Sequence, residues 1–145
     1  MGPLGSPRSG KHHPGRRGAN RLPAMARHIL PESQIHPAIR ERVAGLHADL
    51  IEQVLAAMAA HRVVVVGMSG NPYVRKARRA LDAEGLPHHD IDVGGYFSQW
   101  RRRNALKLWT GWPTFPMVFI DGQLIGGADD LAGLLARGEF RPPSR

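Results

Sequence analysis

Val63-Val64-Val65-Val66-Gly67-Met68-Ser69-Gly70-Asn71-Pro72-Tyr73-Val74 decides the fold. Four consecutive β-branched residues read as a short strand buried on both faces. Ser69–Asn71 is a loop, and Pro72 sits where a first helical turn tolerates proline. The helix it opens runs over Pro72–Glu84, with Tyr73, Ala77, Ala80 and Leu81 predicted inward and Gly85 closing it. His88–Val93 follows as a second strand, with Ile91 and Val93 on one side. A strand, a crossover helix and a strand make a right-handed unit, so the two strands are parallel.

Downstream, a helix is expected over Phe97–Trp109 and a turn at Gly111-Trp112-Pro113-Thr114. Met117–Ile120 and Gln123–Ile125 are strands joined by Asp121-Gly122, a strong two-residue hairpin signal. Leu131, Leu134 and Leu135 form the stripe of a last helix, with Asp129 as the acid at its start. Upstream, Ile39, Val43, Leu46, Leu50, Val54 and Met58 recur at helical steps, predicting one long amphipathic helix over Pro37–His61 that Gly45 bends or splits. The order is helix, then β-α-β-α-β-β-α. The expected fold class is α/β: a four-stranded mixed sheet flanked by helices in the thioredoxin-like arrangement, plus the extra N-terminal helix.

The 145 residues suffice for one domain with a real core. Residues 1–30 read as a disordered basic head, 31–61 as a helical extension, 62–140 as the folded domain and 141–145 as a tail. Gly2-Pro3-Leu4-Gly5-Ser6 has the look of a cloning leader, with Met25 as a native start. The formal charge is +8, but Arg8, Lys11, Arg16, Arg17, Arg21 and Arg27 carry much of it without an acid between them. Nucleic-acid binding is therefore an alternative that rests on the head alone. No run of about 18 apolar residues predicts a membrane span, and no secretory leader is visible. The expected location is cytoplasmic.

The chain has no cysteine, which excludes disulfides, thiol catalysis and thiolate ligation of a metal cluster by its own residues. His12-His13 lies in the head. His88 and His89, adjacent on a strand, point to opposite faces and make a poor chelate, so no metal site is expected. Trp100, Trp109 and Trp112 read as core and helix-packing residues rather than a base-stacking platform.

Residues 48–140 resemble a glutaredoxin, nearest the monothiol type. Three blocks carry the resemblance: Gly70-Asn71-Pro72-Tyr73 after the apolar strand, Trp112-Pro113-Thr114-Phe115-Pro116, and Asp121–Asp130 with its Gly126-Gly127-Ala128-Asp129-Asp130 end. The resemblance implies a cis-proline at Pro116, which aims the backbone of Phe115 at the loop so that an extended peptide pairs with it in strand fashion. In the family that peptide is the cysteinyl part of glutathione. Asp129 and Asp130, with the free amides of Gly127 and Ala128, match the site of the γ-glutamyl end, although Asp129 also reads as a plain helix cap. Arg103 falls at the family's arginine for the glycine carboxylate, with Lys107 one turn on as an assistant. Arg101-Arg102-Arg103 equally reads as a solvated charge run.

The sequence departs from the family at three positions. The family loop reads Cys-Pro-Tyr-Cys or Cys-Gly-Phe-Ser, whereas Asn71 stands at the nucleophile, Val74 at the resolving position, and Met68 at the lysine before the loop. The implied glutathione groove is Asn71, Tyr73, Arg103, Thr114, Phe115, Pro116, Gly127, Ala128, Asp129 and Asp130, with no catalytic residue. The leading expectation is a glutaredoxin-like protein without thiol chemistry that binds glutathione or a thiol peptide and serves a redox or iron–sulfur partner as regulator or scaffold. The alternative is an oxidoreductase or [2Fe–2S] carrier by descent. The family bridges such a cluster through the loop thiolate, so cluster binding is not expected here. The long helix from Pro37 either packs on the domain's own sheet or mediates a homodimer.

Overall fold

The computed structural model describes residues 26–95 and 98–140. The predicted head falls largely, and the predicted tail wholly, outside these residues, as does Phe97. The chain divides at Arg40/Glu41 into two units. The first includes a short 3-10 turn at Glu32–Gln34.

The elements are α1 (Pro37–Gly45), α2 (Ala48–Ala60), β1 (Val63–Gly67), α3 (Pro72–Ala83), β2 (His89–Asp92), α4 (Trp100–Thr110), β3 (Met117–Ile120), β4 (Gln123–Gly126) and α5 (Ala128–Ala136). The sheet order is β2-β1-β3-β4. β1 and β2 are parallel, with Val66 opposite Ile91. β1–β3 and β3–β4 are antiparallel. This is the four-stranded mixed sheet expected from the sequence. Asp121 and Gly122, both at positive φ, make the tight turn of the β3–β4 hairpin.

The period-2 rule splits the valine run between two cores. Val64 and Val66 pack with Leu50, Val54, Leu106, Met117 and Phe119 on the α2/α4 face. Val63 and Val65 pack with Ala77, Leu81, Val118, Ile120 and Leu131 on the α3/α5 face. All four valines are 1% exposed or less, and full burial of each contributes about 1.5–3 kcal/mol. β1 is thus the shared wall of both layers. Its last residue, Gly67, leaves room for α3: a Cβ there would lie 2.7 Å from Val74 Cγ1.

The N-terminal helix takes the split form of its expectation, and three other expectations are corrected. The break falls directly after Gly45, between α1 and α2, where His47 adopts a left-handed backbone at φ 51°. Leu50 and Val54 of the predicted stripe are buried, whereas Val43 and Leu46 are exposed. α4 starts at Trp100, because Gln99 is also left-handed, at φ 58°. Tyr73 faces outward and Val74 takes the inward place beside Ala77 and Leu81. Trp100 is exposed rather than core, with the Arg101 guanidinium 5.3 Å from its ring centroid. The Arg102 guanidinium lies 3.1 Å from Asp49 Oδ2 and ties α4 to α2. That hydrogen bond holds the Asp49 carboxyl below the usual carboxylate range. Among the described residues no single helix is long and apolar enough to cross a membrane.

Candidate functional site

Three segments converge at one end of the sheet: the β1–α3 loop, the turn before β3, and the start of α5. Each follows from its local sequence. Pro72 occupies the first turn of α3, and Asn71 caps it by accepting the Tyr73 N–H on Oδ1 at 2.8 Å. Because an N–H only donates, this contact fixes the amide orientation and leaves Nδ2 facing the Phe115 carbonyl, 3.4 Å away. Asn71 is consequently 8% exposed. The Phe115–Pro116 peptide bond is cis, as the resemblance implied. At the third segment, Gly126 has φ 120°, and a Cβ on it would lie 2.6 Å from Asp130 Oδ2. Only glycine fits that backbone and that approach.

Between these segments lies a groove of about 500 Å³. Nine of the ten predicted residues line it: Asn71, Tyr73, Thr114, Phe115, Pro116, Gly127, Ala128, Asp129 and Asp130. Arg103 does not. It is 7% exposed and turned under the segment preceding α4, where Nη1 donates to the carbonyls of Val93, at 3.0 Å, and Ser98. A guanidinium tied to two backbone carbonyls is a structural strut. Lys107, one helical turn on, lines the groove in its place, with Nζ 5.8 Å from the Phe115 ring centroid. Met68, Trp112 and Pro113 complete the lining.

The α5 end also differs from expectation. The Gly127 amide is not free, because it donates to Asp130 Oδ2 at 2.9 Å. Asp130, rather than Asp129, therefore closes the helix start. Asp129 Oδ1 instead pairs with Lys76 Nζ at 2.7 Å. This hydrogen bond and the Asp129 charge raise the Lys76 pKa above the ordinary lysine value. The stabilisation it brings is therefore complete below the unfolded lysine pKa and disappears as pH rises through the higher folded value. Both side chains are more than half exposed, so the effect is small and screened by salt. A Lys76→Met variant is expected to melt slightly below wild type at pH 8, with the gap closing above about pH 10.4. A gap that widens with pH in paired thermal melts contradicts the assignment.

Of the two histidines expected on the second strand only His89 lies in β2, and His88 precedes it. Both His88 ring nitrogens meet carboxylates, Asp90 at 2.8 Å and Asp82 at 3.0 Å. His89 stacks on His61, with ring centroids 4.3 Å apart.

The groove's donor set discriminates between ligands. Among its described residues are one cation, two carboxylates, an apolar wall and an indole: Trp112 Nε1 is buried with no hydrogen-bond partner. A short zwitterionic peptide carrying carbonyls and carboxylates fits this chemistry. An iron–sulfur cluster does not, because the chain supplies no thiolate.

Comparison with known proteins gives these features their context. The glutaredoxin family profile matches residues 63–125. A glutaredoxin-like protein of Dictyostelium discoideum is 46% identical over 84 residues, covering 58% of this chain and 68% of that protein. The bifunctional monothiol glutaredoxin-S16, chloroplastic, of Arabidopsis thaliana is 29% identical over 105 residues, which are 66% of this chain and 36% of the plant protein. In fold, a buckwheat glutaredoxin–glutathione complex matches with a TM-score of 0.57 at 22% identity, over 66% of this chain and 86% of the other. With the sheet order, the cis-Pro116 turn and the Gly126-Gly127 approach to α5 all in place, the chain belongs to the glutaredoxin family, on its thioredoxin-like fold.

Proposed function

We propose that this chain is a binding member of its family rather than a thiol oxidoreductase: its groove holds glutathione, or an extended thiol peptide, without covalent capture. The observation that carries the reading is the assembled groove itself. The cis-Pro116 turn, the α5 start and Lys107 surround a loop whose nucleophile position is Asn71. In this reading the backbone of Phe115 pairs with the cysteinyl residue in strand fashion. Lys107 receives the glycine carboxylate, a role the family resemblance implied for Arg103. Ala128, Asp129 and Asp130 receive the γ-glutamyl end, where the ligand's ammonium competes with Lys76 for Asp129. Trp112 Nε1 is the buried donor that an acceptor on the ligand relieves. A module of this kind senses or presents glutathione to a protein partner, and a regulatory or scaffold place in redox or iron–sulfur metabolism suits it.

The test is an NMR titration of the full chain with reduced glutathione. Shifts concentrated at Asn71, Phe115, Lys107 and Asp129 are expected, weakened about tenfold in a Lys107→Met variant, which corresponds to about 1.4 kcal/mol for one charge-assisted contact. No shift at millimolar ligand overturns the reading.

A further inference from the structure

On the side of the β1–α3 loop the groove is lined by the uncharged side chains of Met68, Asn71 and Tyr73. A cysteinyl ligand paired with Phe115 turns its sulfur toward residue 71, and there both polar ends of the Asn71 amide are already engaged. Oδ1 accepts the Tyr73 N–H and Nδ2 donates to the Phe115 carbonyl. One N–H of Nδ2 and one lone pair of Oδ1 are left, so the amide offers the sulfur a neutral contact and no charge. The neighbouring wall is Met68, Tyr73, Trp112 and Pro113: a thioether, two aromatic rings and a pyrrolidine. The cation among the described lining residues, Lys107, stands over the Phe115 ring, its Nζ 5.8 Å from the ring centroid.

Such a wall discriminates by apolar contact rather than by charge. A bare thiol leaves Met68 and Tyr73 in contact with water, and Tyr73 is 56% exposed. A carbon chain on the ligand's sulfur covers them, removing apolar surface from water on both partners. Methionine suits this task, because its unbranched, polarizable side chain adapts to substituents of different shape.

We propose that the groove selects glutathione whose sulfur is capped by carbon, the thioether conjugates, over the free thiol. This rests on the reading of the groove as a glutathione site and names its ligand class. The absent nucleophile then has a chemical counterpart, because a thioether offers no sulfur–hydrogen or sulfur–sulfur bond for a thiolate to exchange with. Recognition is non-covalent throughout, with no bond made or broken.

The test is calorimetric titration of the full chain with reduced glutathione, S-methylglutathione and S-hexylglutathione under identical buffer and reductant. Affinity is expected to rise along that series, with the hexyl conjugate at least tenfold tighter than the free thiol. Complete burial would give about fourfold per methylene; the open side of Tyr73 keeps the gain below that. A Met68→Lys variant is expected to narrow the ratio severalfold by placing a charge against the chain. Equal or weaker binding of the hexyl conjugate, with glutathione still bound, overturns the selection and leaves the glutathione reading intact. No binding of any of the three at millimolar concentration overturns both.

Discussion

An Asn71→Cys variant is expected to be captured by oxidised glutathione, whereas the wild-type chain is inert to it. Residue 71 is the N-cap of α3. A thiol there lies at the positive end of the helix dipole, where cysteine pKa values fall and the thiolate population rises. The thiolate attacks one sulfur of the disulfide, the sulfur–sulfur bond breaks, and one glutathione leaves as its thiolate. The reaction stops at the mixed disulfide, because the resolving position is Val74, 2% exposed and without a sulfur. Intact-protein mass spectrometry should show one glutathionyl adduct per chain, removed by dithiothreitol, against none in wild type. If the variant stays unmodified after prolonged exposure to millimolar oxidised glutathione, residue 71 does not face a glutathione site. The same variant should lose about 1 kcal/mol of stability with its cap.

Removing the Arg103 guanidinium is expected to have the largest effect on stability among the arginines of α4. Its Nη1 reaches the Val93 and Ser98 carbonyls from a buried position. An Arg103→Met side chain keeps much of the apolar stem and leaves both carbonyls unpaired. The buried Val93 acceptor left unpaired costs about 1–3 kcal/mol, whereas the Ser98 carbonyl is only partly buried and can turn to water, so the variant should lose about 1–3 kcal/mol, seen in urea denaturation as a midpoint lower by about 0.5–1 M. Arg101→Ala, at an exposed site, should change stability by about 0.5 kcal/mol or less. Glutathione affinity should survive Arg103→Met in the folded fraction. A variant that keeps its stability and loses ligand instead would return Arg103 to the groove.

This contrast shows where sequence reading reaches and where it stops. Strands β1 and β3, the β3–β4 turn and the cis-Pro116 block were legible because each rests on a strong local rule: β-branched burial, an Asp-Gly pair, a motif with fixed spacing. The split between α1 and α2 was legible only as an alternative. Nothing in Leu46-His47-Ala48 signals a left-handed histidine, since the apolar period continues through it. Gln99 hides the start of α4 in the same way. Tyr73 was misplaced by one position, because Tyr73 and Val74 are both plausible inward residues and only Gly67, which makes room for Val74, decides between them. The exchange of Arg103 for Lys107 is a matter of depth. Both lie on one face of α4, and which one reaches the groove depends on the carbonyls that the preceding segment presents to Arg103. The engaged Gly127 amide was likewise out of reach, because Asp129 and Asp130 are equivalent in sequence and differ only in which sits three residues past the cap.

The Asn71 cap also sets stability against chemistry. Asparagine is among the best residues for the first position of a helix and cysteine is not, so at this position the chemically silent residue is the more stabilising one. A cysteine at this position gives up about 1 kcal/mol of capping, a large share of the stability of a marginally stable domain. The residue that best starts α3 is therefore one that brings no thiol to the loop, and at this position stability and thiol chemistry ask for different side chains.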